Sequence, residues 1–195
     1  MAKPILTPFT GDPEADKLLE KDGLALLIGM LLDQQVPMEW AFRGPLELKR
    51  RLGRLDARSI ASMPPEEVVD AFVAKPALHR YPASMAKRVH ELCAFVTEHY
   101  DGKATAIWKN PGTADELLRR LLELPGYGPQ KAKIFLAILG KRLGVAPAGW
   151  EAAADVYGQP GHRSIADVDG PGAVDEVRSY KQQMKGKARA TVAGA

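Results

Sequence analysis

Apolar residues recur three and four positions apart in one segment after another, and this spacing narrows the folds open to the chain more than any other feature. Across 82–100, Met85, Val89, Leu92, Cys93 and Val96 follow it behind Pro82, a residue suited to a first helical turn. Leu117, Leu118, Leu121 and Leu122 make a second stripe within 112–123. Ala132, Phe135, Leu136, Leu139 and Leu143 make a third within 129–143. Segment 13–33 is apolar on nearly all sides after Leu24, the pattern of a helix at the centre of a bundle. Shorter helices are expected around 39–52, 65–74, 150–156 and 172–187. No stretch alternates cleanly at period two between turn signals, so the chain reads as all-α. The breakers Gly53, Pro64-Pro65, Pro76, Pro111-Gly112 and Pro125 through Pro129 separate the segments. A loop-rich stretch is expected over about 144–171, and residues 188–195 are small and polar enough to fray.

The 195 residues suit one domain, 1–195, with a core that needs no covalent staples. A hydrophobic fraction of 46% beside 26% charged residues excludes disorder along most of the chain. The longest apolar run, Leu24–Leu32, is shorter than the roughly 18 residues of a membrane helix, and no signal peptide is visible. One cysteine, Cys93, excludes intramolecular disulfides and any multi-cysteine zinc or iron–sulfur cluster. A cytoplasmic location and a monomer are the expectations. Charge is unevenly spread. Residues 1–100 carry 13 Lys+Arg against 14 Asp+Glu, a net of −1, whereas 101–195 carry 14 against 10, a net of +4. No acid falls between Glu123 and Glu151, where Lys131, Lys133, Lys141 and Arg142 stand. Such asymmetry suits a polyanion surface, and equally a solvated helix face.

Leu124-Pro125-Gly126-Tyr127-Gly128-Pro129 lies between two of the periodic segments, so that 112–143 reads as helix, hairpin, helix. Pro125 ends the first helix, and Pro129 suits the first position of the next. Gly126 and Gly128 permit positive φ and bare their amides, beside a helix start that carries partial positive charge. A turn of this kind cradles a phosphate, with Lys131 and Lys133 adding attraction. It also serves as a tight corner with no ligand.

Leu-Pro-Gly-Tyr-Gly-Pro-Gln-Lys-Ala resembles the helix-hairpin-helix of the HhH-GPD superfamily of base-excision DNA glycosylases, down to Ala132 four residues past the second glycine. Leu31-Leu32-Asp33-Gln34-Gln35, ahead of it at the end of an apolar helix, is similar to the family's leucine-leucine-serine-x-glutamine segment. The resemblance covers roughly residues 20–150 and implies an all-α, bilobal fold with a cleft between lobes. It implies a DNA glycosylase that flips a damaged base out of double-stranded DNA and hydrolyses its N-glycosidic bond. On that reading Gly126, Tyr127, Gly128, Lys131 and Lys133 hold the backbone, and Gln35 wedges into the gap left by the base. Some members also bind a monovalent cation through hairpin carbonyls; no other cofactor is expected.

The chain departs from the family pattern at three points. Gln130 stands where bifunctional members carry a catalytic lysine, and Lys131 is rotated from it by about 100° around a helix. Base removal without strand cleavage is therefore expected. The iron–sulfur cluster of the endonuclease III branch is missing, which places the chain nearer alkyladenine-type members. Where the family has its catalytic aspartate, the window reads Ala148-Gly149-Trp150-Glu151-Ala152-Ala153. A carboxylate stabilises the charge that develops on the sugar, and losing it costs on the order of 3 kcal/mol. Glu151, Asp167 and Asp33 are the candidates. Asp167 is also placed to form a capping pair with Ser164, and Asp155 to lie on a solvated helix face. Gln34, Trp40 and Trp150 are candidates for the base pocket, although each aromatic suits a core as well. His79-Arg80 reads as a loop that either touches a phosphate or is solvated. Arg178, Lys181 and Lys185 share one face of the last helix, with Lys187 beyond, and form either a phosphate-binding strip or a solvated face. With the acid lost, the same fold would be a non-catalytic reader of damaged or bent DNA. A third reading is a helical protein-interaction module.

Overall fold

The computed structural model describes residues 8–170 and 172–193, among which there are ten α-helices, three short 3-10 turns and no strand. The chain is all-α. The helices are α1 (Pro13–Lys21), α2 (Gly23–Leu32), α3 (Met38–Leu52), α4 (Ala57–Ser62), α5 (Pro65–Val73), α6 (Pro82–Tyr100), α7 (Ala114–Leu122), α8 (Pro129–Arg142), α9 (Trp150–Ala153) and α10 (Ala173–Ala193). No helix among the described residues is long and apolar enough to cross a membrane.

Four elements differ from what the periodicity predicts. The 13–33 segment is two helices, because Asp22 closes α1 and caps α2, accepting from the amides of Leu24 at 2.8 Å and Ala25 at 3.3 Å. A short carboxylate that bonds forward amides competes with helical continuation. The six residues of α4 are too few to show a stripe, and Asp56 starts the helix by accepting from Ser59 N at 2.8 Å. α9 stops at Ala153, since Asp155 has φ +57° and Gly158 closes over the backbone of Glu151. A side chain at Gly158 would stand 2.2 Å from the Glu151 carbonyl oxygen. α10 continues to Ala193, past the expected end, while Gly194 and Ala195 lie outside the described residues.

α2 is the centre of the molecule. Every residue from Leu24 to Leu32 is buried, and the helix touches α1, α3, α6, α8 and the 3-10 turn at Ala104–Trp108. Its approach to α3 is close because two glycines face large side chains. A Cβ on Gly29 would lie 2.6 Å from Phe42 Cδ1, and one on Gly44 would lie 2.6 Å from Leu32 Cδ1. α4 and α5 pack on α6, and α7 pairs with α8. Phe135 is fully buried, whereas Phe95 packs on the edge of the core, half-buried beside His99 with ring centroids 4.3 Å apart. Cys93 is buried among apolar side chains, which pushes its thiol up to about 12 and leaves it inert.

Gly29→Ala should destabilise the protein by about 1–3 kcal/mol, because the Phe42 ring has no free volume into which to retreat. Urea unfolding of the two proteins measures the difference.

Candidate functional site

The last carbonyls of any helix lack partners within it, and α2 ends in the interior, where water cannot supply them. Lys131 reaches across from the first turn of α8. Its ammonium donates to Met30 O at 2.5 Å, Leu31 O at 2.9 Å and Asp33 O at 3.1 Å. Burial draws the amine down to about 8, a shift that the nearby Asp33 carboxylate opposes. His79 arrives from the other side, with Nε2 at 3.2 Å from Leu32 O and 3.1 Å from Gln34 O. Its Nδ1 accepts from Tyr81 N at 3.0 Å, so the ring is neutral with its proton on Nε2. Burial holds this imidazole below the ordinary histidine value. His79 is thus an interior brace, not the solvated or phosphate-touching loop residue expected, because α2 imports donors from elsewhere in the chain.

Lys131 and His79 together fix the turn that follows α2. Gln34 points inward, donating from Nε2 to Leu31 O at 3.0 Å while Arg88 donates to its Oε1 at 3.4 Å. Gln35 points outward and is exposed. Its backbone has φ +56°, a conformation that ordinarily favours glycine. Tyr81, also exposed, donates its hydroxyl to Gln35 Oε1 at 3.2 Å, and the Arg80 guanidinium stands 5.4 Å from the Tyr81 ring centre.

The hairpin lies directly against this turn. Gly126 has φ +81°, and a Cβ there would come within 2.3 Å of Leu31 Cδ1. Tyr127 is buried; its amide closes the corner onto Leu124 O at 3.0 Å, and its hydroxyl donates to Leu27 O at 2.8 Å. Gly128 differs from expectation. It has φ −75° and ψ 174°, the extended conformation of an N-cap residue. What distinguishes it is open space, since a Cβ there would meet nothing within 4 Å. The start of α8 has no side-chain cap, and among the described residues the amides of Gly126, Gly128 and Gln130 find no acceptor. The two lysines do not reach outward as expected. Lys131 faces the interior, and Lys133 pairs with Asp155 at 2.9 Å. Gln130 is exposed and donates to the Tyr157 hydroxyl at 3.0 Å.

The three candidate carboxylates occupy different surroundings. Asp33 stands at the Gln34-Gln35 turn, its side chain 11% exposed, with Oδ2 3.5 Å from Lys181 Nζ. Glu151 is exposed on α9, where Trp150 packs its ring over Gly140. Gly140 is about 14 Å along α8 from Lys131 at 1.5 Å per residue. Asp167 is buried and bonded on both oxygens. Oδ2 accepts from Arg163 N at 2.9 Å and Ser164 N at 3.0 Å, Oδ1 accepts from Lys141, and a capping box with Ser164 results. Trp40 is half-buried on α3 and lines a separate cavity of about 370 Å³ beside Arg43, Arg51 and Pro76. The structure therefore gathers Asp33, Gln34, Gln35, Gly126, Tyr127, Gly128 and Lys131, leaves Glu151, Trp150 and Asp167 apart, and sets the Trp40 ring behind the turn, 6.5 Å from that of His79.

The α10 cations are engaged as well. Arg178 bonds Glu39 and, at 2.8 Å, Asp175, while Lys181 faces Asp33. The side chains of Lys185 and Lys187 lie outside the described residues. Arg178 and Lys181 thereby neutralise the two acids that flank Gln35. Neither His79, Tyr81 nor Arg88 stands out in the sequence. The usable signal is indirect: a helix as apolar as α2 carries no polar side chain to satisfy its own end.

No family model, curated protein or solved structure matches the chain.

Lys131→Met should cost about 1–3 kcal/mol in urea unfolding, because it leaves buried carbonyls without donors. His79 adds a pH dependence. Unfolded, it binds a proton near the ordinary value of about 6.5, but in the folded chain only at lower pH. The unfolded state therefore holds more protons in that window, so stability is complete above pH ~7 and falls as pH drops through ~6.5. Denaturation midpoints between pH 7.5 and 5.5 should show this decline, and His79→Gln should flatten it.

Proposed function

We propose that the protein is a monofunctional DNA glycosylase of the HhH-GPD type, with the bilobal fold that its hairpin and glutamine motifs imply. One observation carries the reading. The open amides of the hairpin and the outward Gln35 are held on one surface by Lys131, which belongs to the hairpin helix yet bonds the carbonyls ahead of Gln35. Amides at an uncapped helix start bind phosphate. A glutamine has both donor and acceptor atoms with which to meet the base left unpaired by flipping. Tyr81 joins the same surface, where an exposed ring adds stacking.

Two features favour hydrolysis without strand cleavage. Gln130 has no nucleophilic amine, and Lys131 has all three N–H donors on carbonyls. Asp33 is the carboxylate assigned to supporting the positive sugar, since it alone of the three candidates stands beside Gln35. The Leu124 and Gly128 carbonyls each accept one amide, from Tyr127 and Ala132, and keep a second lone pair. The turn thus fits the monovalent cation implied by the resemblance, which would neutralise phosphate charge there. A second reading, a DNA reader without chemistry, draws support from the full set of bonds on Asp167 and from the Asp33–Lys181 pair.

Labelled duplexes carrying different damaged bases, each divided between treatment with and without hot alkali, separate these readings. Strand breaks only after alkali are expected, with Asp33→Asn at least 10²-fold slower. Gly128→Asp should weaken duplex binding at least tenfold through charge repulsion at the open amides. Intact strands with tight, salt-sensitive binding would leave the reader, and no binding at low salt would sink both. Gln35→Gly should raise stability by up to about 1 kcal/mol while lowering lesion affinity, since glycine relieves the backbone but removes the wedge.

A further inference from the structure

At the opposite end of α2 from Gln35, about 15 Å away along the ten-residue helix, lies a cavity of about 680 Å³. Its walls come from α1, α2, α3, the start of α4 and the turn at 102–105, and its size falls in the range of small-molecule sites. Its acids and its lysines are placed very differently. Glu14 is taken by Arg50 at 2.6 Å. Asp22 and Asp56 are spent on helix caps, Asp22 on Leu24 N and Ala25 N and Asp56 on Ser59 N. Those bonds hold the Asp56 carboxyl below its ordinary range. Lys17, Lys21, Lys49 and Lys103 also line the cavity, from three different parts of the chain. Among the described residues Lys17, Lys21 and Lys49 form no ion pair, and Lys103 comes only within 3.9 Å of Asp101. The apolar part of the lining is made by Leu18 and Leu55, both half-buried, with Leu24 and Leu46 buried.

We infer that this cavity binds a small amphipathic anion, with an apolar body on the leucine floor and a phosphate-like head among the four lysines. The carboxylates hold the walls by bonding backbone and Arg50, which leaves the lysines as the charged groups of the lining open to a ligand. Lysine suits this role because its flexible stem lets several ammonium groups converge on one head group. The apolar floor requires more of the ligand than charge, since a bare anion leaves it in contact with water. The site is separate from the hairpin surface and does not depend on what that surface binds.

Titration calorimetry on the full chain with 1-naphthyl phosphate, inorganic phosphate and 1-naphthol tests the inference. Naphthyl phosphate should saturate at one per chain and bind at least tenfold more tightly than either half alone. Lys17→Ala/Lys49→Ala, which removes two exposed side chains, should weaken it at least tenfold with an unchanged denaturation midpoint. Gly128→Asp should leave it unaltered. Equal binding of naphthyl phosphate and phosphate would overturn the apolar subsite. Affinity within twofold of wild type in the double variant, displacement by lesion-free duplex DNA, or no saturable binding would overturn the site itself.

Discussion

The architecture depends on how the buried end of α2 is satisfied. A helix whose every residue from Leu24 to Leu32 is buried cannot turn to solvent for its terminal carbonyls. The donors come from two distant parts of the chain, Lys131 on α8 and His79 ahead of α6, with the Gln34 amide adding a local bond. Each of these bonds also docks an element. Lys131 seats the hairpin against α2, and His79 seats the segment that carries Tyr81. Hydrogen bonds that satisfy a core helix therefore also build the surface that holds Gln35, and stability and site share the same few atoms.

Much of the helical content was legible because periodicity is a local property. α6 runs from Pro82 to Tyr100 as its stripe predicts, and α8 begins at Pro129. What was not legible depends on partners far along the chain. Nothing near His79 marks it as buried, since its acceptors are 45 and 47 residues away. Lys131 and Lys133 look alike in the sequence, yet their positions on α8 point one at the α2 terminus and the other at Asp155. The split at Asp22 was open to a reader of caps but concealed by the apolar run that follows it. Gly128 shows a further limit: its φ of −75° suits any residue and a Cβ there would meet nothing within 4 Å, so the fold itself does not account for the glycine.

Gln35 is the place where local preference and the observed structure conflict. A left-handed backbone at a non-glycine residue costs about 1–2 kcal/mol, and nothing buried is gained, because the side chain is exposed. Glycine would serve the fold better at this point. The conformation persists because His79 fixes the Gln34 carbonyl and Tyr81 holds the Gln35 amide group, so the turn is determined from both sides. The strain thus lies in the backbone of a residue whose side chain is exposed above a turn held from both sides.

The carboxylates follow a related logic, in which the number of donors separates an acid fully used by the fold from one that keeps acceptor capacity. Asp167 receives two backbone amides and a lysine, so its charge is fully used in holding the 163–168 turn against α8. Asp33 faces one lysine at 3.5 Å, beyond good hydrogen-bond distance, and keeps acceptor capacity. α10 supplies that lysine together with Arg178, which serves Glu39 in the same way on the other side of Gln35. Without these two cations, Asp33 and Glu39 would each lose the ion pair that α10 gives them. Of the basic residues on α10, Arg178 and Lys181 are thus engaged with acids of α3 and of the turn after α2, which ties α10 to the elements on either side of Gln35 in the chain.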